Sequence, residues 1–299
     1  MIRSLLYVPA SSERFIAGAH RRGADAIILD LEDAVAPNAK EAARAGLAEA
    51  VPEVAKGGAT VFVRINAERE LIFSDAEAAC RAGAHALYVS KVGSVDILVE
   101  LAERLAPVEA ALGRAPMRFV PLLEDPGAVL DARAIARGPR VMALSTGGED
   151  IATEMGAEPL PEVLRLPKLL VHMAAKAERL LSFGLLRSVA DYADEAAMQA
   201  AAQEARRFGF DGASCIHPAI VSILNAAFAP TQADIAWARR VVEAGEEAAG
   251  RNVGAFTLDG RFIDAPIVTR ARAVLARIPQ DNGACLLYTS PSPRDRQKS

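Results

Sequence analysis

The apolar positions of this chain fall into short β-branched or aliphatic runs separated by longer stretches in which apolar residues recur every three or four positions. The runs are LLYV at 5–8, AIIL at 26–29, TVFVRI at 60–65, ALYVS at 86–90, MRFVPLLE at 117–124, VMALS at 141–145, a weaker LLSFGLL at 180–186, and GASCI at 212–216. Between them the helical spacing is plain, as in Val95, Leu98, Leu101, Leu105 and Val108. Strands that are apolar nearly throughout are buried on both faces, as in a parallel sheet covered by crossover helices. Eight such units predict an α/β fold of the (β/α)8 TIM-barrel type, with an open doubly wound sheet as the alternative. After the eighth run come helices expected at 218–227 and 232–249, a polar turn RNVGAFTLDGRFIDAP and a last helix, which do not fit the repeat. They predict a C-terminal helical arm or lid. The expected organisation is a barrel over 1–225, an arm over 226–284 and a non-native tail over 285–299.

The tail is set apart by composition. CLLYTSPSPRDRQKS has no apolar period, and its Arg294, Arg296 and Lys298 against Asp295 give it +2, so the rest of the chain carries -4 - 2 = -6. Across the chain 34 basic and 38 acidic residues are interspersed, not gathered on one face, which argues against a nucleic-acid partner. No run approaches the ~20 apolar residues of a membrane span, and the N-terminus lacks a leader pattern, so a cytoplasmic protein with no membrane partner is expected. Cys80, Cys215 and Cys285 are too few and too scattered for a disulfide framework or a Cys-x-x-Cys metal site. Cys80 and Cys215 sit in apolar runs and read as inert buried thiols.

In a (β/α)8 barrel the active site gathers at the C-terminal ends of the strands, so polar residues that close an apolar run carry information. The second run ends in Asp30, Glu32 and Asp33, the third in Arg64 and Asn66, the fourth in Lys91, the fifth in Glu124 and Asp125, and the sixth in Gly147, Gly148, Glu149 and Asp150. Glu124 and Asp150 close neighbouring strands. Two carboxylates on one rim suit a hard cation such as Mg²⁺, which takes one or two protein carboxylates and leaves the other positions to water and substrate. A solvated rim of charges with no metal is the competing reading. Arg64 rises from a buried strand and must meet anions, either Asp33 or Glu124 in a structural pair, or a substrate. His217, in CIHP, reads as a structural anchor more readily than as a base. Gly147 and Gly148 allow close backbone approach to a ligand. The chain has no GxGxxG, P-loop, HExxH or GxSxG motif, which removes dinucleotide, nucleotide, zinc-peptidase and serine-hydrolase readings.

Taken together, AIILDLEDAV at 26–35, TVFVRIN at 60–66, LLED at 122–125, GGEDIATEMG at 147–156, CIHP at 215–218, AWARRV at 236–241 and LDGRFIDAP at 258–266 resemble the citrate lyase β-subunit-like family, within the HpcH/HpaI aldolase superfamily, over residues 3–276. The resemblance implies a Mg²⁺-dependent Claisen-type lyase, with Mn²⁺ as a possible substitute, related to malyl-CoA and citramalyl-CoA lyases. It implies Glu124 and Asp150 as metal ligands and Arg64 as the residue that stabilises the enolate oxygen. Asp33, with Glu32, Gly147, Gly148 and Glu149, falls on the substrate side, and Arg14 on the CoA side. Asp264 matches an aspartate that reaches into a neighbouring subunit's site, so a homotrimer or homohexamer is expected. The partners implied are acyl-CoA and small 2-oxo acids.

Three departures stand out: Asp125 places a second carboxylate beside a metal ligand, Ile220 stands after CIHP where many relatives have glutamine, and VPASSERF offers few polar groups for CoA phosphates beyond Arg14. The leading reading is an autonomous acyl-CoA lyase. The alternatives are a citrate lyase β subunit acting on a carrier-bound thioester and a catalytically silent regulatory homologue.

Overall fold

The computed structural model describes residues 1–278 of the 299-residue chain, and the expected tail at 285–299 lies outside them. Contacts divide the chain into a unit over Ile2–Phe228 and a second beginning at Ala229. The first unit runs β1 Ser4–Pro9, α1 Glu13–Ala19, β2 Ala26–Asp30, a 3-10 turn Pro37–Ala39, α2 Lys40–Ala45, α3 Leu47–Ala55 and β3 Thr60–Ile65. It continues α4 Arg69–Arg81, β4 Ala86–Val89, α5 Asp96–Leu112, β5 Arg118–Leu123, α6 Pro126–Leu130, α7 Ala132–Ala136 and β6 Ala143–Thr146. It ends α8 Gly148–Glu154, α9 Pro161–Ala177, β7 Leu181–Phe183, α10 Glu195–Phe208, β8 Ala213–Cys215 and α11 Ala219–Phe228.

All eight expected strands form, and every ladder between them is parallel, in the order β7-β6-β5-β4-β3-β2-β1-β8. β7 meets β8 through one bridge, Phe183 to Gly212, with the Gly184 amide donating to the Gly212 carbonyl at 2.9 Å. The sheet is therefore an almost closed barrel and not an open doubly wound sheet. Its strands feed two cores, because successive side chains point to opposite faces. Leu5, Ile28, Phe62, Tyr88, Val120, Ala143 and Phe183 pack against one another inside the barrel. Their sequence neighbours Leu6, Ile27, Val63, Leu87, Phe119 and Leu144 join the larger core beneath the helices. That double demand is why the runs read as continuously apolar.

The boundary expected after residue 225 falls inside α11. Leu224, Ala227 and Phe228 are buried in the outer core, so this helix belongs to the barrel through Phe228. The second unit contains α12 Gln232–Gly250, β9 Phe256–Leu258, β10 Arg261–Ile263 and α13 Ala265–Leu275. Thr231 and Asp234 form a reciprocal capping box that starts α12. The segment expected as a polar turn holds an antiparallel hairpin, β9 to β10, with Arg261 opposite Leu258. Ala238, Val241, Ile263 and Ala271 form the unit's own core.

Candidate active site at the barrel mouth

The period of two that builds the inner core also aims the site. Counting in steps of two from buried apolar residues, Ile28 leads to Asp30, Phe62 to Arg64, Tyr88 to Ser90, Val120 and Leu122 to Glu124, and Ala143 and Ser145 to Gly147. Each inward row thus ends, at the C-terminal edge of its strand, in a polar residue or in glycine. Asp30 and Arg64 are direct partners across the β2–β3 ladder.

On that side of the mouth a guanidinium is surrounded by acids. Arg64 Nε donates to Asp30 Oδ1 at 2.7 Å and Nη2 to Asp30 Oδ2 at 2.6 Å, a bidentate fork on a carboxylate that is 1% exposed. Arg64 Nη1 lies 2.8 Å from Glu32 Oε2 and donates to Asp33 Oδ2 at 3.1 Å. The Arg64 Cζ stands 5.1 Å from the centroid of the Tyr7 ring. Burial opposes the charge of Arg64, but the Asp30 hydrogen bonds and the surrounding anions outweigh it and hold the guanidinium above its ordinary value. Of its five N–H groups, the second on Nη2 has no protein acceptor among the described residues. Glu32 also accepts from Ser90 Oγ at 3.0 Å, and its Oε1 lies 3.7 Å from Lys91 Nζ. Burial nevertheless raises the Glu32 carboxyl above its usual range.

The other side of the mouth is organised around Glu124, which is 4% exposed. The backbone amide of Lys91 donates to its Oε2 at 2.9 Å. Lys91 adopts a left-handed backbone with φ of 51° at this point, a conformation that costs a non-glycine residue energy and tends to persist where function holds it. Burial pushes the Glu124 carboxyl up to about 8; the Lys91 amide opposes the shift, and the charges of Glu32 and Asp150 add to it. Gly147 makes room for this side chain, since a Cβ there would overlap Glu124 Oε1 and lie 2.9 Å from its Cγ. Asp150 is in the first turn of α8. Five carboxylates, Asp30, Glu32, Asp33, Glu124 and Asp150, thus face two cations, Arg64 and Lys91, an excess of three negative charges. The donor set is oxygen only, which fits Mg²⁺ or Mn²⁺ and not a softer metal. No group of three or more His, Cys, Asp and Glu is disposed to hold an ion among the described residues.

Other residues singled out in the sequence fall elsewhere or serve other ends. Asp125 is the N-cap of α6, its Oδ1 accepting from the Ala128 amide at 2.9 Å, so the carboxylate beside Glu124 is engaged as a cap. Glu149 is exposed and accepts from Ser188 Oγ. Arg14 is an exposed residue in α1. His217 stacks on Tyr192 with centroids 4.9 Å apart and accepts from the Ala219 amide at 3.3 Å, the geometry of an anchor. Asp264, in the second unit, caps α13 by accepting from the Ile267 amide at 3.3 Å. Cys80 and Cys215 are buried free thiols, and burial pushes Cys215 up to about 12.

Sequence reasoning passed over Tyr7, Ser90, Ser188 and Lys168. The last is 3% exposed, and burial pulls its amine down to about 8 against the attraction of Glu149. A Cβ on Gly148 would lie 3.4 Å from Lys168 Nζ. Its signal was available: Leu164, Lys168, Val171 and Ala175 form one inward stripe of α9, and a lysine there is out of place.

Comparison with known proteins agrees with this architecture. The chain is 32% identical over 281 residues to the citrate lyase subunit beta of Escherichia coli K12, covering 92% of both chains. It is 34% identical over 279 residues to a (3S)-malyl-CoA thioesterase of Cereibacter sphaeroides, covering 92% of this chain and 94% of the relative. A crystal structure of CitE from Mycobacterium tuberculosis with magnesium, acetoacetate and coenzyme A superposes with a TM-score of 0.74 at 29% identity, over 92% of this chain and 97% of that one. The model of the HpcH/HpaI aldolase/citrate lyase family matches residues 3–218, the stretch that contains β1 through β8 and the whole carboxylate-rich mouth. The chain belongs to the HpcH/HpaI aldolase/citrate lyase family.

Proposed function

We propose that this chain is a Mg²⁺-dependent carbon–carbon lyase that cleaves or forms a 3-hydroxyacyl-CoA thioester of the malyl-CoA or citramalyl-CoA type by Claisen chemistry. The observation that carries the reading is the buried Glu124, with no cationic side chain in direct contact, beside Asp150 and across the mouth from Arg64. Such a carboxylate needs a cation from outside the protein. Glu124 and Asp150 would hold it, and Mg²⁺ when bound offsets the excess negative charge and polarises the oxygen of the oxo or hydroxy acid. The CitE relative from M. tuberculosis, with magnesium, acetoacetate and coenzyme A, supports both the metal and the ligand class.

In the cleaving direction the substrate hydroxyl loses its proton to a base, and the bond between its carbon and the carbon next to the thioester breaks. A 2-oxo acid leaves, and the electron pair stays as the enolate of the acyl thioester, which then takes a proton. The unclaimed Nη2 hydrogen of Arg64 is a directed donor for the enolate oxygen, and the Asp30 fork keeps it aimed. Gly147, Gly148, Glu32, Asp33 and Glu149 border the acid, and Arg14 serves the CoA phosphates. Asp264 moves the proton, supplied by a neighbouring copy in a homotrimer or homohexamer. The enzyme acts in the cytoplasm.

The E. coli relative favours a second reading, a β subunit acting on a carrier-bound thioester, and the C. sphaeroides relative adds thioester hydrolysis as a possible sequel. The test is to incubate the purified chain with Mg²⁺ and malyl-, citramalyl- or methylmalyl-CoA and assay 2-oxo acid, acyl-CoA and free CoA separately. Release of 2-oxo acid with acyl-CoA is expected. Free CoA without 2-oxo acid identifies a thioesterase, and turnover of carrier-bound thioesters only identifies the β-subunit role.

A further inference from the structure

Helix α9 buries an apolar face yet also carries an apolar stripe on its outer side. On a helix that borders solvent, polar residues are expected outside and apolar ones inside. Here Lys168 and His172 are buried at 3% and 7% exposure, while Leu166 and Met173 are 66% and 65% exposed and Leu170 is 38% exposed. With Ala177, also exposed, these three form a stripe at spacings of four, three and four residues. Glu162 is the one exposed charged residue on the helix. Arg165 is drawn sideways to Glu204 at 2.8 Å and over the Phe208 ring. Leu130, on α6, which packs against α9, is 80% exposed, and Leu160 ahead of the helix is 42% exposed. No other helix of the barrel carries more than two exposed large apolar residues. A concentration of this kind on a soluble barrel marks a surface that another molecule covers.

The stripe itself selects the occupant. Spacings of four, three and four place Leu166, Leu170, Met173 and Ala177 on the seam of a heptad, the repeat that lets two helices pair along their length. In that register Glu162 and Lys176 occupy the same flanking position two heptads apart. When two copies of the helix pair antiparallel about a two-fold axis, that flanking position faces its own equivalent. The axis passes beside Leu169, and Glu162 of each copy comes opposite Lys176 of the other. Glu162 has no ion-pair partner in this chain among the described residues, and Lys176, which holds Asp211, keeps hydrogens for a second carboxylate. The face is therefore complementary to itself in shape period and in charge. We propose that the outer face of α9 pairs antiparallel with the same face of a second copy of this chain across a two-fold axis.

Two measurements on the full chain test this independently of the lyase reading. Sedimentation equilibrium should give the Leu166→Glu/Met173→Glu variant half the mass of the unaltered protein, with the far-ultraviolet circular dichroism unchanged. The expected halving is the same whether the two-fold makes a dimer from monomers or a hexamer from trimers. If the double glutamate variant fails to fold, Leu166→Ala/Met173→Ala should weaken the pairing at least tenfold in dissociation constant. In a Cys285→Ser background, Leu169→Cys should form a disulfide-linked dimer under mild oxidation, and Val99→Cys on α5 should not. An unaltered mass in the folded variants overturns the proposal. So does failure of the Leu169→Cys crosslink.

Discussion

The two sides of the barrel mouth solve the same electrostatic problem in opposite ways. At the ends of β2 and β3 the acids Asp30, Glu32 and Asp33 converge on Arg64 within 3.1 Å and Lys91 Nζ lies 3.7 Å from Glu32, so the protein itself sets two cations against three acids. At the ends of β5 and β6, Glu124 has one backbone amide and like-charged neighbours, and its carboxyl is displaced to about 8. The difference teaches how roles are divided: a cluster that carries its own cations keeps its geometry with or without ligand, whereas one that lacks them is built to receive a cation. Loss of a group from the first side should cost both fold and turnover, and from the second side turnover alone.

The sharpest test of that contrast pairs one substitution from each side. Glu124→Gln should abolish Mg²⁺ binding in titration calorimetry and turnover with it, while leaving the metal-free protein as stable as before or more so, because a neutral amide avoids the cost of ionising a buried carboxyl. Arg64→Lys should lower kcat by roughly 100- to 1,000-fold with a smaller effect on KM, and should destabilise the fold by about 1–3 kcal/mol, since an ammonium cannot reproduce the fork on Asp30. Retained metal affinity in the first variant, or an unchanged melting temperature in the second, would erase the distinction.

The proton-transfer role proposed for Asp264 is tested separately from both sides of the mouth. Asp264→Asn should lower kcat by roughly 100-fold or more, in keeping with general acid–base catalysis. Asparagine is as good an N-cap as aspartate, so the thermal midpoint should hold. A fall in stability with little loss of turnover would leave Asp264 as a cap and nothing more.

The smallest effect concerns pH. In the metal-free protein the Glu124 carboxyl is raised from 4.5 to about 8, so the folded state holds its proton more tightly than the unfolded chain. The stability this contributes is full below 4.5 and is lost as the pH rises through 8. Binding of Mg²⁺ requires the ionised form, so apparent affinity should rise about tenfold per pH unit below 8 and then level. The Mg²⁺-induced gain in melting temperature should accordingly be larger at pH 8.5 than at pH 6. An equal gain at both would remove Glu124 from the ligand set.

Much of this was legible before any coordinates. Strands buried on both faces must be apolar throughout, so β1 to β8 announced themselves, and a polar residue ending such a run has only the mouth to occupy. Partnership was less legible. The sequence offered Asp33 or Glu124 to Arg64; Asp33 does pair with it at 3.1 Å, but the bidentate partner is Asp30, because direct pairing across the β2–β3 ladder places those two side by side. Tyr7 was hidden in an apolar run where an aromatic passes as core. β9 and β10 were missed because strands of three residues leave too little period to read. The carboxylate of Asp125 stood out as a second one beside a metal ligand, yet Pro126 at the following position starts α6 and turns the aspartate into a cap.

The pairing of β1 with β8 has a bearing on how the chain folds. Ser4, Leu5 and Leu6 lie against Ala213, Ser214 and Cys215, residues from opposite ends of the barrel unit. During synthesis the first strand can join β2 at once, but its other edge stays bare until almost the whole barrel has been made. That pairing carries the largest loop-closure entropy in the unit and belongs to the slow part of folding. β2 through β6, which carry the entire charged mouth, are joined by ladders between sequence neighbours. The reactive half can therefore assemble on the nascent chain before the last strand closes the circle, and a ribosome-bound intermediate would expose two unpaired strand edges in the meantime, that of β1 and that of the last strand added.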